Sequence, residues 1–246
     1  MKRTIWVIAC SLLLVGRMAG QRQTVQNRPY ADLRQFHFGI QLGTHVQDLE
    51  LTNVGMQTIV SDGGEQAQRL ITTDQNRWDP GFHVGVLGEY RLTENLQFRI
   101  APTLFFGSRH IRFQDIGTAE KVVEEHRQNL KTVYIATAAE LIFAGPRFNN
   151  TRPYVVGGVS PMLNLNGKSH DYIKLKPYDI FAELGLGVDL YLPYFKLRPE
   201  LKFMFGLLDC LDKAHAGKLK DKSMLPYANS MKEARSRIVA LCFYFE

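Results

Sequence analysis

The chain predicts an all-β fold: an eight-stranded antiparallel up-and-down transmembrane β-barrel with short periplasmic turns and long extracellular loops. Three observations predict it. Period-two alternation recurs along 246 residues, connections alternate between short and long, and one short apolar leader stands in place of any longer hydrophobic run. The mean hydropathy of -0.17 and the 45% hydrophobic content suit neither a disordered tail nor a helical membrane protein. The only continuously apolar stretch, Ile5 to Val15, covers about eleven residues, where a bilayer-spanning helix needs about twenty. That excludes a polytopic helical transporter.

Residues 1–20 have the layout of a cleaved secretory leader: Lys2 and Arg3, the apolar run, then Ala19 and Gly20 before Gln21. Val7-Ile8-Ala9-Cys10 resembles a lipobox, but Ser11 to Val15 carry the apolar run past Cys10, which favours ordinary cleavage. Residues 21–34 then form a periplasmic N-terminal segment and 35–246 the barrel. The leader holds Lys2, Arg3 and Arg17 and no acid, so cleavage lowers the net charge from +6 to about +3. That weak positive balance suits an anionic lipopolysaccharide surface, and no run of Lys and Arg interleaved with aromatics points to nucleic acid. Cys210 and Cys242, left after the leader, make no disulfide framework and are expected at opposite ends of the barrel.

The strands follow in order. Phe36, Phe38, Ile40 and Leu42 alternate with His37, Gly39, Gln41 and Gly43. Phe82, Val84, Val86, Tyr90 and Leu92 oppose His83, Gly85, Glu89 and Arg91. After the tight turn Thr93-Glu94-Asn95, Leu96, Phe98, Ile100, Leu104 and Phe106 oppose Gln97, Arg99 and Thr103. Val133, Ile135, Leu141 and Phe143 face away from Tyr134 and Glu140; Val155, Val159, Leu163 and Leu165 face away from Tyr154, Ser160 and Asn164. Ile180, Ala182, Leu184, Leu186, Val188, Leu190 and Leu192 oppose Glu183, Gly185, Gly187 and Asp189. Across Pro193-Tyr194, Phe195, Leu197, Leu201, Phe203 and Phe205 oppose Lys196, Arg198, Glu200 and Lys202. Val239, Leu241, Phe243 and Phe245 close the chain against Ser236, Ala240 and Tyr244. Strands of roughly ten residues cross an outer membrane when tilted. Thr44 to Pro80, Gly107 to Lys131 and Leu208 to Ala234 read as long loops, Asn166 to Asp179 as a medium one, and the intervening connections as short turns that place both termini in the periplasm.

A soluble barrel also alternates, with its apolar face inward. Glycines at 39, 43, 85, 185 and 187 and charges of both signs on the polar face fit a narrow lumen and decide for the membrane barrel. Register supports this: if Leu92 faces Leu96, Glu89 lies opposite Arg99, and if Leu192 faces Phe195, Asp189 lies opposite Arg198. Eight strands leave room for little beyond their own side chains, so the barrel is expected to be filled rather than open. Phe243-Tyr244-Phe245-Glu246 nearly matches an aromatic-terminated barrel-insertion signal, with Phe243 and Phe245 as its aromatics and one acid added.

Candidate chemistry is sparse. His37 and His83 share lumen parity on neighbouring strands but have no third ligand at recognisable spacing, so they read as lumen lining. Ser108 and His110 lie two apart on the lipid-facing side near the long-loop end, where a lipid A deacylase would place a nucleophile and base, but no orienting acid stands at a defined spacing. Gly167-Lys168-Ser169 mimics the end of a P-loop, but Met162 stands where its leading Gly belongs. Ala119 to Leu130 could form a turn or two of helix. Leu208 to Ala234, with Lys213, Lys218, Lys220, Lys222 and Lys232, reads as a solvated exterior loop able to touch lipopolysaccharide or a partner.

The leader, His37-Phe38-Gly39-Ile40-Gln41-Leu42-Gly43, Val133-Tyr134-Ile135 to Phe143, and Arg152-Pro153-Tyr154-Val155-Val156-Gly157-Gly158-Val159-Ser160 resemble the small outer-membrane barrels of the PorT-type porin family, over about Phe36 to Glu246. Many relatives carry an acid and a Pro where this chain has Ala136-Thr137. The resemblance implies a non-enzymatic part of the type IX secretion system, which exports proteins bearing a C-terminal signal domain, gingipain-type proteinases among them. It implies other secretion-system proteins and outer-membrane lipids as partners, with no catalytic residues, cofactor, metal or small-molecule substrate. The alternatives are a lipid A-modifying enzyme at Ser108 and His110 and a generic structural or receptor barrel.

Overall fold

The computed structural model describes residues 25–60, 66–116, 124–165, 172–219 and 224–246. The leader 1–20, residues 167–169, Lys220 and Lys222 lie outside the described residues. The strands among those described are β1 (Phe36–Asn53), β2 (Met56–Val60), β3 (Gln66–Trp78), β4 (Pro80–Arg91), β5 (Leu96–Asp115), β6 (Glu124–Ala144), β7 (Thr151–Asn164), β8 (Tyr178–Tyr191), β9 (Lys196–Gly206) and β10 (Met231–Phe245). Eight of them close an antiparallel ring in the order β1, β4, β5, β6, β7, β8, β9, β10 and back to β1. β3 leads into β4 through Asp79 and Pro80, and the two share one partner: β4 pairs with β5 from Gln97 to Phe106, β3 from Arg109 to Asp115. β2 adds a short strand to the outer edge of β3.

The ring has its apolar face outward. Leu184 and Leu186 are 61% and 60% exposed, while Glu183 between Ala182 and Leu184 is 2% exposed and Arg99 and Arg198 are fully buried. A soluble barrel would reverse this, because an exposed Leu row in water forfeits its transfer free energy while a buried charge row adds a desolvation cost. The lower rim of the belt is Phe36, Tyr90, Phe143, Phe195 and Phe245; the upper rim is Val46, Phe82, Phe106 and Val239. From Phe36 to Val46 a strand tilted by about 40° climbs about 25 Å, the height of an outer-membrane apolar band. At the rims Phe36 packs on Tyr90 at 5.0 Å and Phe82 stacks on Phe106 at 4.8 Å.

Above the belt five strands continue, and here the polarity inverts. The inward parity now carries Leu49, Ile71, Ile111, Phe113 and Leu130, all buried, and the outward parity carries Glu50, Arg112, Arg127 and Arg237. Water has replaced lipid outside the wall, so the same two-residue period sorts apolar groups inward. This corrects the expected loops: most of Thr44 to Pro80 and of Gly107 to Lys131 is strand, and β5 and β6 pair without a break from Leu96 and Phe143 to Asp115 and Glu124. Strands expected at roughly ten residues reach 21 in β6. The expected helix at Ala119 to Leu130 is strand from Glu124 on; residues 119–123 lie outside the described residues. β7 ends at Asn164, β8 starts at Tyr178 and β9 ends at Gly206, so the projecting wall covers one side of the ring only.

At the opposite end the turns are short: Leu92 N donates to Leu96 O at 2.9 Å, and Leu192 N donates to Phe195 O at 3.0 Å. The segment Val25 to Gln35 crosses this mouth as a strap. Arg147 staples it, donating to Asn27 O and to Arg28 O at 3.2 Å while its guanidinium lies 3.6 Å from the Tyr191 ring centroid. Arg147 and Arg152 also reach Asp32 at 3.5 and 3.6 Å, and Tyr191 hydroxyl donates to the same carboxylate. Replacing Arg147 with Ala removes the staple without touching the ring. Hydrogen exchange at the amides of Ala31, Leu33 and Arg34 is expected to speed up by about 10–100-fold while the strand amides keep their protection. Unchanged exchange there would mean that the remaining bonds of Asn27, Arg28 and Asp32 hold the strap without Arg147.

Candidate functional site

The lower lumen is a network of charges. Arg99 projects from β5 into the axis because its parity is opposite to Phe98 and Ile100. Its Nε donates to Glu89 Oε1 at 2.6 Å and its Nη1 to Glu200 Oε2 at 2.9 Å and Glu140 Oε2 at 3.2 Å. Arg198 Nε lies 2.6 Å from Asp189 Oδ1, and its Nη1 contacts Glu89 and, at 2.6 Å, Glu246 Oε1. Glu89 and Arg99, and Asp189 and Arg198, thus stand together, and Glu89 joins both arginines into one cluster. Lys202 contacts Glu140 and lies 3.2 Å from Glu183 and 3.5 Å from Glu200. Tyr154 and Tyr244 donate to the two oxygens of Glu200 at 2.8 and 3.1 Å, and Arg99 lies 4.2 Å from the Tyr244 ring centroid. A buried ion costs several kcal/mol to desolvate, so such a cluster persists only when nearly every charge has a counter-charge and hydrogen bonds.

Glu246 was missed as a lumen residue. The acid that follows the aromatic terminus turns inward: its carboxylate contacts Lys196 and Arg198 and lies 3.6 Å from His37 Nδ1. Parity held the signal, since position 246 continues the inward series of Cys242 and Tyr244. Phe243 and Phe245 remain on the outward face beside β1 and β9, with Phe245 6.0 Å from Phe195. Glycine lets aromatic rings lie over the neighbouring strand: a Cβ at Gly187 would stand 2.2 Å from Tyr154 Cζ, and one at Gly43 2.4 Å from His83 Cε1.

The middle lumen is mixed. His83 stacks on Phe105 at 5.0 Å beside His45, whereas His37 is level with Glu89 in the lower network, so the structure does not bring His37 and His83 together. Arg109, also fully buried, donates to Gln47 Oε1 at 3.0 Å and Ser236 Oγ at 2.5 Å, and Thr132 Oγ1 donates to the same Gln47 oxygen at 2.8 Å. Phe105, Tyr134, Met162, Phe181, Met204 and Ile238 pack around them.

The top of the lumen is closed by chain. Ile173, Leu175, Cys210, Leu211, Tyr227 and Met231 pack onto the inner side of the projecting wall, against Leu49, Ile71, Ile111, Phe113 and Leu130. Gln128 clamps Ile173 through both of its backbone groups at 2.9 Å, and Leu175 bridges to Leu211. Leu208 to Ala234, read as a solvated loop, therefore has a buried apolar side; Lys213 and Lys232 occupy its exposed side. Its sequence mixes single apolar residues among lysines without a period, which hid the packing. Cys210 and Cys242 are free and buried. Burial pushes the Cys210 thiol up to about 11. In the folded barrel at pH 8 it is expected to resist maleimide and to react once urea unfolds the crown; rapid labelling of the native state would show that the crown opens.

Ser108 and His110 face outward just above the belt, one turn of the pleat above Phe106. The structure adds Asp79, from the corner between β3 and β4. Asp79 Oδ2 contacts His110 Nδ1 and accepts from Ser108 Oγ at 3.5 Å, and Asp79 Oδ1 lies 2.7 Å from Arg77 Nε. Both Ser108 and His110 are therefore turned to Asp79. A Ser nucleophile needs its proton aimed at the imidazole, which this arrangement does not provide.

A family model described as the outer membrane protein beta-barrel domain matches residues 21–212. No curated protein sequence matches the chain. Similar solved structures include Neisserial surface protein A, at 13% identity and a TM-score of 0.40 over 86% of this chain and 98% of that one. OprG from Pseudomonas aeruginosa has 12% identity and a TM-score of 0.42 over 86% and 92%. The outer membrane protease OmpT from Escherichia coli has 11% identity and a TM-score of 0.43 over 91% and 97%.

Proposed function

Because this chain belongs to the outer membrane protein beta-barrel domain family, we propose that it is a non-enzymatic, contact-making component of the type IX secretion system, required for export and maturation of proteins bearing a C-terminal signal. Its short turns and both termini then face the periplasm and its crown the cell exterior. The observation that supports a contact role is the filled interior: ion pairs from Glu89 to Glu246 below, packed side chains in the middle and loop residues above leave no path for a polypeptide. The PorT-type motifs of the first, fourth and fifth lumen-forming strands supply the link to secretion.

A second reading, a lipid A-modifying hydrolase, gains Asp79 beside His110 but has Ser108 directed at Asp79. One experiment separates these readings from a purely structural or receptor barrel. In a deletion strain, proteins bearing the C-terminal signal are expected to accumulate in the periplasm. Both the wild-type gene and Ser108→Ala/His110→Ala are expected to restore their surface delivery. Unchanged export after deletion would overturn the secretion reading, and rescue by the wild type alone would move the function to Asp79, Ser108 and His110.

A further inference from the structure

Among the described residues the projecting wall presents three strand edges, and two of them are guarded. On β10, above the end of β9, Ala234 N donates to Asp209 Oδ1 at 3.1 Å and Ala234 O accepts from Cys210 N at 2.9 Å, so that edge is capped. On β6, above its last partner on β7, the exposed face carries Glu125, Arg127 and Lys131, and charges of this kind deter a further strand. The third edge belongs to β2. Among the described strands β3 alone pairs with it, and from Asn53 to Ser61 the sequence holds no charged residue and no Pro. Val54 and Met56 are 51% and 67% exposed there.

Register shows which backbone groups face the open side. Leu70 O accepts from Ile116 N at 2.9 Å on the side of β5, so Leu70 turns its backbone away from β2. Met56 and Leu70 are therefore a pair without mutual hydrogen bonds, and by alternation so are Thr58 with Gln68 and Val60 with Gln66. Gln57 and Ile59 bond to Arg69 and Ala67 instead. Met56, Thr58 and Val60 thus direct three N–H and three C=O groups along the open edge. Such a row is a template for another strand.

Membrane geometry rejects a second copy of this chain as the occupant. β2 pairs with β3 in the register in which β1 pairs with β4, and between the two ladders Thr73 N donates to Asn53 Oδ1 at 3.0 Å and Asn53 Nδ2 to Thr73 O at 3.2 Å. β2 therefore continues the line of β1. Two copies in one membrane are related by rotation about its normal, so strands tilted by about 40° would cross at roughly 80° where their edges met. They could not form a ladder.

We propose that β2 is a strand-addition site: an extended segment of another extracellular polypeptide pairs antiparallel with Met56, Thr58 and Val60, held by main-chain hydrogen bonds and apolar on the face it shares with the Met56 side chain. The proposal rests on the open edge and stands apart from the secretion reading. A barrel that adds a strand but whose deletion leaves export intact keeps the first and loses the second.

The test uses the refolded full chain in micelles and amide hydrogen exchange resolved by residue. The probe is a capped hexapeptide alternating valine and threonine, for which millimolar affinity is expected. Without peptide, Met56, Thr58 and Val60 are expected to exchange faster than Gln57 and Ile59; with it, these three slow by at least about tenfold and the alternation disappears. The fully N-methylated peptide, which lacks donors, is expected to leave exchange unchanged, and serine in place of the valines to weaken binding by about tenfold. Thr58→Pro removes an edge donor without touching the bonds to β3 and is expected to abolish the effect while the unheated barrel keeps its gel mobility. No slowing with the valine-threonine peptide, or equal slowing with the N-methylated one, overturns the proposal. Slow exchange at the three amides without peptide, growing with protein concentration, would make a second copy the occupant and overturn it as well.

Discussion

Replacing Arg99 with Met is expected to cost about 3–5 kcal/mol of unfolding free energy, because it leaves buried carboxylates without their shared cation. Arg99 is fully buried and bonded to Glu89, Glu140 and Glu200, which come from three different strands. Met keeps most of the volume, so the loss reports charge and hydrogen bonding rather than a cavity. Arg198 and Lys202 still hold Glu89, Glu140 and Glu200 in part, which keeps the loss from growing further. Trp78, the Trp left after the leader, sits at the belt edge and reports unfolding by fluorescence in lipid vesicles titrated with urea. The double variant Arg99→Met/Glu89→Gln is expected to regain part of the loss, since it removes one of the stranded carboxylates. A loss below about 1 kcal/mol for the single variant would mean that the remaining cations and internal water carry the cluster without Arg99.

Leu184→Arg is the second large effect. Leu184 is 61% exposed in the middle of β8, with Gly157 and Phe203 as its cross-strand neighbours, and its surroundings are hydrocarbon. A guanidinium at that depth costs about 2–4 kcal/mol in an outer-membrane barrel, and the cost falls toward the rims. The same substitution at Tyr178 near the upper rim is accordingly expected to cost about 1 kcal/mol or less. The measurement is the folded fraction on refolding into vesicles, read by the mobility of the unheated barrel on a gel. Equal behaviour of the two variants would place the membrane elsewhere on the wall. The comparison is sharp because Glu183, one residue away, is a native charge that faces inward and meets Lys202 of the neighbouring strand at 3.2 Å.

The belt was legible from single residues because membrane and lumen impose opposite demands at a period of two. Phe36 to Leu42, Leu96 to Phe106 and Ile180 to Leu192 each face as their alternation implies. The register of the short turns was legible too, since two-residue and three-residue connections leave little slack and carry Arg99 and Arg198 to their partners. What stayed hidden lay where the surroundings change. Ile111 and Phe113 fall in the stretch read as a loop; they keep the inward parity of Arg99 and Arg109 along β5, and they are apolar there because water rather than lipid surrounds this part of the wall. Asp79 meets His110 only after β3 and β4 have both found β5, 31 positions apart in sequence.

The sequence by itself determined the alternation, the number of membrane-crossing strands, the facing of the belt and the pairing of charges across tight turns, because these follow from local periodicity and short closure. Only the tertiary structure decided that two separate ion pairs fuse into one network through Glu89 and that Glu246 extends it to Lys196, that a strap closes one mouth, and that lysine-rich loops fold inward over the other. Those outcomes depend on which strands close the ring and where lipid gives way to water, and neither is encoded in the neighbours of any one residue.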